Sequence, residues 1–256
     1  MAYILQDALI YRYFFLVGSC FGSFVNVVIY RVPRKISIVK GRSFCPKCGH
    51  PLTALDLLPV FSWLFLCRKC RYCKAPISAR YPQVELLGGI FAVLCVWQGG
   101  MEVSDIFEFA AICAIIAIAF IDADTMEIPN GLILFLAAVA AFFPFLDTGV
   151  SLTSRLIGFV CISLPMFLLT MLIPGCFGGG DIKLIAVSGF ILGWEMTLLA
   201  SFVAILLGGG YAVYLLAAKK AVRKTQFAFG PFLCAGIIVS MFFGSNILSF
   251  YLGLFK

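Results

Sequence analysis

Long runs of apolar residues recur along the whole chain and are separated by short polar segments. They lie at 9–30, 84–99, 105–122, 128–147, 155–174, 181–193, 196–217 and 228–254. A membrane-spanning helix needs about 20 mainly apolar residues, with a range of roughly 17–25. The pattern therefore predicts about eight transmembrane helices, of which the sixth is short. The one long polar interruption predicts a small domain outside the bilayer.

Three segments follow from this pattern. We expect a first transmembrane helix over 1–30, a cytoplasmic cysteine-rich loop over 31–83, and a seven-helix membrane domain over 84–256. The composition agrees with a membrane protein, because 62% of the residues are hydrophobic, only 12% are charged, and the mean hydropathy is +1.07. A soluble domain has roughly 45–50% apolar and about 25% charged residues. We therefore predict an all-α polytopic membrane protein and exclude a soluble globule, a disordered chain and a disulfide scaffold.

The distribution of basic residues predicts the orientation in the membrane. Eleven of the 19 lysines and arginines lie between residues 31 and 82, where Asp56 is the one acid. Basic residues near the ends of spans stay in the cytoplasm. The first loop is then cytoplasmic and the N-terminus is outside. Eight alternating spans also place the 218–227 connection inside, and it carries Lys219, Lys220, Arg223 and Lys224. The net charge of +7 thus reflects topology and does not predict nucleic-acid binding.

Five of the eleven cysteines crowd into the first loop and predict a metal site. Cys45 and Cys48 form one Cys-x-x-Cys knuckle, Cys70 and Cys73 form a second one, and 21 residues separate Cys48 from Cys70. Paired knuckles at about this separation are typical of zinc sites. In a reducing cytoplasm thiols favour a metal over a disulfide. We expect one structural zinc ion on four sulfurs, since a closed site leaves no position for substrate.

Other interpretations of the cysteines remain open at this point. Cys67 lies three residues before Cys70, so Cys67 and Cys70 could form the second knuckle in place of Cys70 and Cys73. His50, the only histidine, adjoins the first knuckle and is a further candidate ligand. A redox-active dithiol or free thiols would also satisfy the spacing. The remaining cysteines lie singly in apolar runs, where a small buried hydrophobe is the ordinary role.

Two acids lie at the predicted cytoplasmic ends of apolar runs. Asp122 ends the third run, and Asp181 follows the glycines of 178–180. Ionisable groups in or beside membrane spans are costly and often functional. Glycine permits a positive φ and a close backbone approach, so the glycine run predicts a tight turn. As alternatives, Asp181 could be a helix N-cap and Asp122 an interfacial acid.

The two acids together suggest a specific chemistry. Two carboxylates held close together cannot both ionise easily, so they share a proton. One can then accept a proton from water while the other donates to a carbonyl oxygen, as in aspartyl proteases. The spacing alone does not establish that Asp122 and Asp181 meet.

Five motifs, in order along the chain, resemble those of the bacterial type IV prepilin peptidases, membrane aspartyl proteases of the GxGD class. They are the segment 22–33, the paired cysteine knuckles, the segment 80–85, the acid-to-Ile-Pro segment 122–130 and the Gly-x-Gly-Asp-x-Lys motif at 178–183. The resemblance runs from about residue 18 to the end. It implies an enzyme of the bacterial cytoplasmic membrane, with its active site on the cytoplasmic side.

The resemblance also implies substrates, cofactors and residue roles. Such enzymes cleave the basic leader from prepilins or pseudopilins, and many methylate the new N-terminus with S-adenosylmethionine. Asp122 and Asp181 correspond to the catalytic aspartates, with Gly178, Gly180 and Lys183 as motif residues. Asp124 is the rival for the first position, although a residue two places on points to another helix face. Asn26, Arg31 and Glu85 are candidates for supporting roles, and no glycine-rich methyl-donor fingerprint is evident.

Two other function classes compete with this enzyme. A non-catalytic scaffold of a secretion or pilus machine would use the zinc loop for docking, and Asp122 and Asp181 would then be dispensable. A transporter would carry acids near the bilayer midplane and internal repeats, and the sequence shows neither.

Overall fold

The structure is a computed structural model that describes residues 2–146, 149–173, 175–218 and 227–254. Within these ranges all regular elements are helical, apart from isolated bridges in the cysteine-rich loop. The α-helices are α1 (Ala2–Arg31), α2 (Phe61–Phe65), α3 (Arg80–Gly99), α4 (Val103–Thr125), α5 (Asn130–Ala140), α6 (Leu152–Cys161), α7 (Ser163–Leu172), α8 (Gly179–Leu192), α9 (Trp194–Ala217) and α10 (Gly230–Gly253). The basic residues Lys219, Lys220, Arg223 and Lys224 lie outside the described residues.

Each predicted apolar run contains at least one helix, but two runs are interrupted. In the run at 128–147, α5 ends at Ala140 and a short 3-10 turn follows at Phe143–Phe145. In the run at 155–174, α6 and α7 are separate helices. A proline ring clashes with the carbonyl four residues before it and removes one hydrogen bond. Pro144 and Pro165 lie four residues after the ends of α5 and α6, which accounts for both interruptions.

Among the described residues, five helical stretches are long and apolar enough to cross a membrane. They are Ala8–Arg31, Val103–Thr125, Leu152–Leu172, Trp194–Ala217 and Gly230–Gly253. The predicted spans at 84–99, 128–147 and 181–193 contain α3, α5 and α8, which are not among the five. A multi-pass helical membrane protein is therefore supported with five candidate spans, and the full count of eight remains a prediction.

The chain forms two compact units, Met1–Ala117 and Ile118–Lys256. In the first unit α1 packs along α3 with almost no space between the backbones. A Cβ atom added to Gly22 would lie 2.7 Å from the carbonyl oxygen of Val84, and one added to Gly18 would collide with the carbonyl of Gly88. Small residues let membrane helices approach closely. This contact fixes the two helices from which the cysteine-rich loop departs.

In the second unit α8 packs against α5, α6, α7, α9 and α10. The C-terminal end of α8 is held by Arg155, which is fully buried and donates to the carbonyl oxygens of Phe190 at 3.1 Å and Ile191 at 2.9 Å. A cation is favoured at a helix C-terminus, where carbonyl groups lack intrahelical partners. Arg155 therefore anchors the end of α8 opposite to the one that carries Asp181.

Candidate functional site

The four sulfurs of the two cysteine knuckles lie together in the first unit. Cys45, Cys48, Cys70 and Cys73 have their Sγ atoms within 4.8 Å of one another, and the Cys45 and Cys73 sulfurs are 3.9 Å apart. A tetrahedral zinc ion with Zn–S bonds of about 2.3 Å separates its sulfurs by roughly 3.8 Å. The donor set therefore fits one zinc ion on four thiolates.

Both knuckles use the same backbone pattern, which distinguishes Cys73 from Cys67. The carbonyl of Cys45 accepts from the N–H of Gly49 at 2.8 Å, and the carbonyl of Cys70 accepts from the N–H of Lys74 at 3.0 Å. Cys67 lies outside this pattern and outside the sulfur cluster. The imidazole of His50 stacks against the ring of Tyr72, with centroids 3.7 Å apart. We call the residues 43–77 around the four sulfurs the cysteine module.

Hydrogen bonds favour the thiolate form of Cys45. Burial alone would raise the pKa of the Cys45 thiol, but the backbone N–H groups of Cys48 and Lys47 lower it to about 7. Cys48 behaves differently, because a hydrogen bond from the backbone of His50 is outweighed by desolvation and by the neighbouring sulfurs of Cys45 and Cys73, which raise its pKa to about 11.

Hydrogen bonds also fix the loop between the two knuckles. Burial acts against ionised Asp56, yet hydrogen bonds from Thr53 and the Arg71 guanidinium at 2.6 Å hold its pKa at about 2. Asp56 thereby connects the loop at Thr53 to Arg71 in the second knuckle.

Asp122 is buried near the end of α4 and is oriented by the start of α10. Its side chain is only 5% exposed, whereas Asp124 is exposed. The Asp122 Oδ2 atom accepts a hydrogen bond from the backbone N–H of Gly230 at 3.0 Å. A Cβ atom added to Gly230 would lie 2.5 Å from that oxygen. Glycine at 230 thus permits the backbone to reach the carboxylate.

Asp181 is the third residue of α8, and Gly178 is the N-cap. The Asp181 carboxylate accepts a hydrogen bond from the N–H of Gly178. Its Oδ1 atom is buried and has no hydrogen-bond partner among the described residues. Capping therefore uses one oxygen only. An unpaired buried oxygen carries a free-energy cost and calls for a further role.

The glycines of this motif serve packing rather than a left-handed turn. Gly178 has a φ of −70° and a ψ of 138°, and the positive φ in this loop is at Gly175, at 82°. A Cβ atom added to Gly180 would lie 2.7 Å from the Cβ atom of Ile128. The start of α8 therefore packs tightly against the segment between α4 and α5.

Asp122 and Asp181 both lie in the second unit, near the end of α4 and at the start of α8. The segment that follows α4 packs against the start of α8, where an added Cβ atom on Gly180 would meet Ile128. Lys183, two residues after Asp181, is exposed. Its Nζ atom donates to the Oδ1 atom of Asn130 at 2.9 Å, which links α8 to the first residue of α5.

Sequence reasoning missed Gly230, although it contacts a predicted site residue. A signal was available in the Phe-Gly-Pro segment at 229–231, where proline at the start of a helix follows glycine. Proline is common in the first helical turn, so it marks where α10 begins. The role of the preceding glycine depends on its contact with Asp122, which the sequence does not show.

Comparison with known proteins covers both units. The model described as the bacterial peptidase A24 N-terminal domain matches residues 16–99, and that of the type IV leader peptidase family matches residues 109–213. A prepilin leader peptidase/N-methyltransferase of Bacillus subtilis (strain 168) is 32% identical over 240 residues, covering 93% of this chain and 96% of that protein. The protein of the same name from Aeromonas hydrophila is 32% identical over 267 residues, covering 93% and 92%. No solved structure matches the chain.

Proposed function

The chain belongs to the type IV leader peptidase family, and from this premise we propose that it is a membrane aspartyl endopeptidase with Asp122 and Asp181 as its catalytic pair. It cleaves the leader peptide of prepilins or pseudopilins and methylates the new N-terminus. The relatives named above are prepilin leader peptidases and N-methyltransferases, which supports both activities. The observations that carry the proteolytic half are the buried Asp122, held by the N–H of Gly230, and the buried Oδ1 atom of Asp181, which has no partner among the described residues.

The two carboxylates can share the acid and base roles of peptide hydrolysis. Two acids close together hold a single proton between them at neutral pH, because the second ionisation places like charges side by side. The ionised member accepts a proton from the attacking water, and the protonated member donates to the oxygen of the scissile carbonyl. The Gly230 N–H orients Asp122, while the buried Oδ1 of Asp181 has no hydrogen-bond partner among the described residues and so keeps its capacity to accept or donate a proton.

The proposed topology places this chemistry at the cytoplasmic face of the bacterial inner membrane. Eight crossings, with the N-terminus outside, put the basic loop over 31–83 in the cytoplasm as its own domain, ahead of the membrane domain over 84–256. The ends of α4 and α8 that carry the two acids then lie on the same side. In a prepilin whose basic leader lies in the cytoplasm and whose next segment lies in the bilayer, the cleavage site would lie beside these ends of α4 and α8.

Two cofactors belong to the proposal. Zinc on the four cysteines has a structural role, since a four-thiolate site keeps no open position for a reactant. S-adenosylmethionine is the methyl donor, and it supplies the methyl group that the new N-terminal amine receives. The residues of the chain would bind the methyl donor and position the N-terminal amine of the cleaved prepilin beside it.

The proposed function is tested with the full-length protein in lipid vesicles and a candidate prepilin. Mass spectrometry of the prepilin should show loss of the leader without S-adenosylmethionine, and a gain of one methyl group when the donor is added. An unchanged prepilin mass for every candidate pilin and pseudopilin would contradict the proteolytic half. A cleaved but never methylated product would contradict the methylating half alone.

Gly230→Ala should lower the cleavage rate by about 10²-fold, the loss expected when a reacting group is displaced by about 1 Å. The added Cβ atom would meet the Asp122 carboxylate at 2.5 Å and push it from its place. Gly131→Ala in α5 is the matched control, since an added Cβ there meets nothing within 4 Å. Initial rates on the same prepilin compare the two, and equal rates would show that Gly230 does not position Asp122.

A further inference from the structure

The cysteine module carries a cluster of exposed apolar side chains at α2. The exposed members are Leu55, Leu57, Leu58, Phe61, Leu64 and Phe65, which we call the apolar face. α2 packs against the short turn over 54–57 that precedes it, so these residues form one surface. The side chain of Phe65 is 81% exposed, and its ring stacks on that of Phe61 with the centroids 6.4 Å apart. A contiguous exposed patch of large apolar side chains marks an interaction site.

Hydrogen bonds hold α2 beside the first turns of α3. The N–H of Val60, just before α2, donates to the Oε2 atom of Glu85, near the start of α3, at 2.7 Å. The indole N–H of Trp63 in α2 donates to the carbonyl oxygen of Ile77, just before α3 begins, at 3.2 Å. Because these two partners flank the beginning of α3, α2 lies at the level of its first turns.

This part of α3 is level with the inside of a candidate membrane span in α1. A Cβ atom added to Gly22 of α1 would lie 2.8 Å from the Cα atom of Glu85. The amide of Asn26, one turn later in α1, donates to the carbonyl oxygen of Tyr81 at 3.0 Å and fixes the same alignment of the two helices. At a rise of about 1.5 Å per residue, Gly22 lies about 13 Å from the end of the candidate span Ala8–Arg31. The start of α2 therefore reaches past the end of this span, into the boundary region of the bilayer.

Basic side chains adjoin the apolar face. Arg68 and Lys69 follow α2 closely and are exposed, and the Arg68 guanidinium lies over the ring of Trp63, 5.0 Å from its centroid. Asp56, the one acid of the cysteine module, is paired with Arg71 and does not offset these two charges. An apolar surface rich in Phe and Leu enters the boundary between headgroups and acyl chains, and anionic lipids attract the lysines and arginines beside it. The combination is that of a surface which contacts an anionic membrane.

We propose that the apolar face inserts into the cytoplasmic leaflet of the membrane, with Arg68 and Lys69 on the headgroups of anionic phospholipids. The choice of leaflet rests on the proposed topology, whereas the contact itself rests on the depth of α2 and on the charges beside it. A basic leader peptide does not fit this surface, because Arg68 and Lys69 would repel it. The cysteine module then contacts the bilayer directly, in addition to its connections to α1 and α3, and the contact keeps its zinc-binding knuckles at the membrane surface.

Photo-crosslinking of the full-length protein in vesicles tests this contact. Phe65 is replaced by the photoreactive analogue benzoylphenylalanine, and the vesicles contain equal amounts of phosphatidylglycerol and phosphatidylcholine. After illumination, mass spectrometry should find phospholipid adducts at position 65. Because two basic side chains lie beside it, adducts of phosphatidylglycerol should exceed those of phosphatidylcholine at least about twofold.

Two further proteins complete the experiment. The analogue at Val39 is the matched control, since Val39 is 88% exposed in the loop that Arg31 holds beyond the end of α1, and it should give few lipid adducts. Arg68→Gln combined with Lys69→Gln removes the charges but keeps the apolar face. With this double variant we expect lipid adducts at position 65 to persist and the preference for phosphatidylglycerol to disappear. The zinc content of each protein checks that the cysteine module is folded.

Other outcomes would overturn the proposal. Crosslinks from position 65 to a second copy of the chain, in place of lipid, would show that protein covers the apolar face. If a zinc-loaded protein forms no adducts at position 65, the face lies in water. Equal lipid adducts at positions 65 and 39 would show that the contact is not specific to the apolar face, and a lipid preference that survives the double variant would show that Arg68 and Lys69 do not bind the headgroups. Leader cleavage plays no part in these measurements, so the proposed function stands or fails separately.

Discussion

Asp181→Asn should lower the rate of leader cleavage by about 10²–10⁴-fold, the range that a general acid or base contributes. Asparagine has nearly the same shape, but it cannot carry the proton that the pair shares. The loss should appear in the rate of the chemical step at saturating prepilin, measured in vesicles by mass spectrometry. Since substrate contacts remain in place, the KM should change little.

This variant also separates catalysis from helix capping. The asparagine oxygen can still accept from the N–H of Gly178, so the cap is kept and the melting temperature should stay close to that of the wild type. Loss of a cap costs about 1 kcal/mol and does not require an acid. Normal cleavage by a stably folded Asp181→Asn protein would show that the residue is only a cap, and the catalytic assignment would be wrong.

The second large effect concerns the metal. Purified protein should contain about one zinc ion per chain, and Cys48→Ser should reduce the metal content to background, because three thiolates no longer close the tetrahedron. Structural zinc contributes roughly 10–16 kcal/mol of apparent binding free energy to small domains, so its loss should unfold the cysteine module. Elemental analysis and limited proteolysis within 43–77 measure the two effects.

Cys67→Ser is the matched control for the zinc site. It removes a neighbouring thiol that lies outside the four-sulfur cluster, so the zinc content should stay at about one per chain. Zinc lost from Cys67→Ser and kept in Cys73→Ser would instead place the second knuckle at Cys67 and Cys70. Intact metal in Cys48→Ser would contradict the four-cysteine site altogether.

The helical segments could be predicted because hydrophobic runs directly reflect burial in lipid or in a core. Their interruptions were missed, since a run counted by hydropathy alone takes no account of Pro144 and Pro165, which end α5 and α6 through local backbone geometry. Whether the helices α3, α5 and α8 cross the bilayer depends on how they pack against neighbouring helices, and hydropathy alone does not predict that packing.

The zinc ligands were ambiguous in sequence because Cys67 and Cys73 are both three residues from Cys70. The structure distinguishes them by backbone pattern, and that pattern has a sequence trace. Both knuckles have proline three residues after the second cysteine, at Pro51 and Pro76, and each of these prolines lies in a β-bridge. A comparison of the two knuckles as repeats would have favoured Cys73.

The candidate acids were found because charge is rare in this chain, but the environment of Asp122 was not predictable. It depends on the hydrogen bond from Gly230, which is 108 residues away in sequence. Gly230 was missed for a related reason, since glycine is frequent in membrane helices and a single glycine therefore does not indicate a specific contact.

Asp122 and Asp124 provide the most direct test of the central claim, that Asp122 and Asp181 together perform the cleavage. They are two residues apart on α4 and carry the same functional group, but Asp122 is buried and bonded to Gly230 while Asp124 is exposed. Cleavage of one prepilin by Asp122→Asn and Asp124→Asn proteins is measured side by side in vesicles. We predict no detectable product with Asp122→Asn and a rate near that of the wild type with Asp124→Asn. Normal cleavage by Asp122→Asn would contradict the proposed pair.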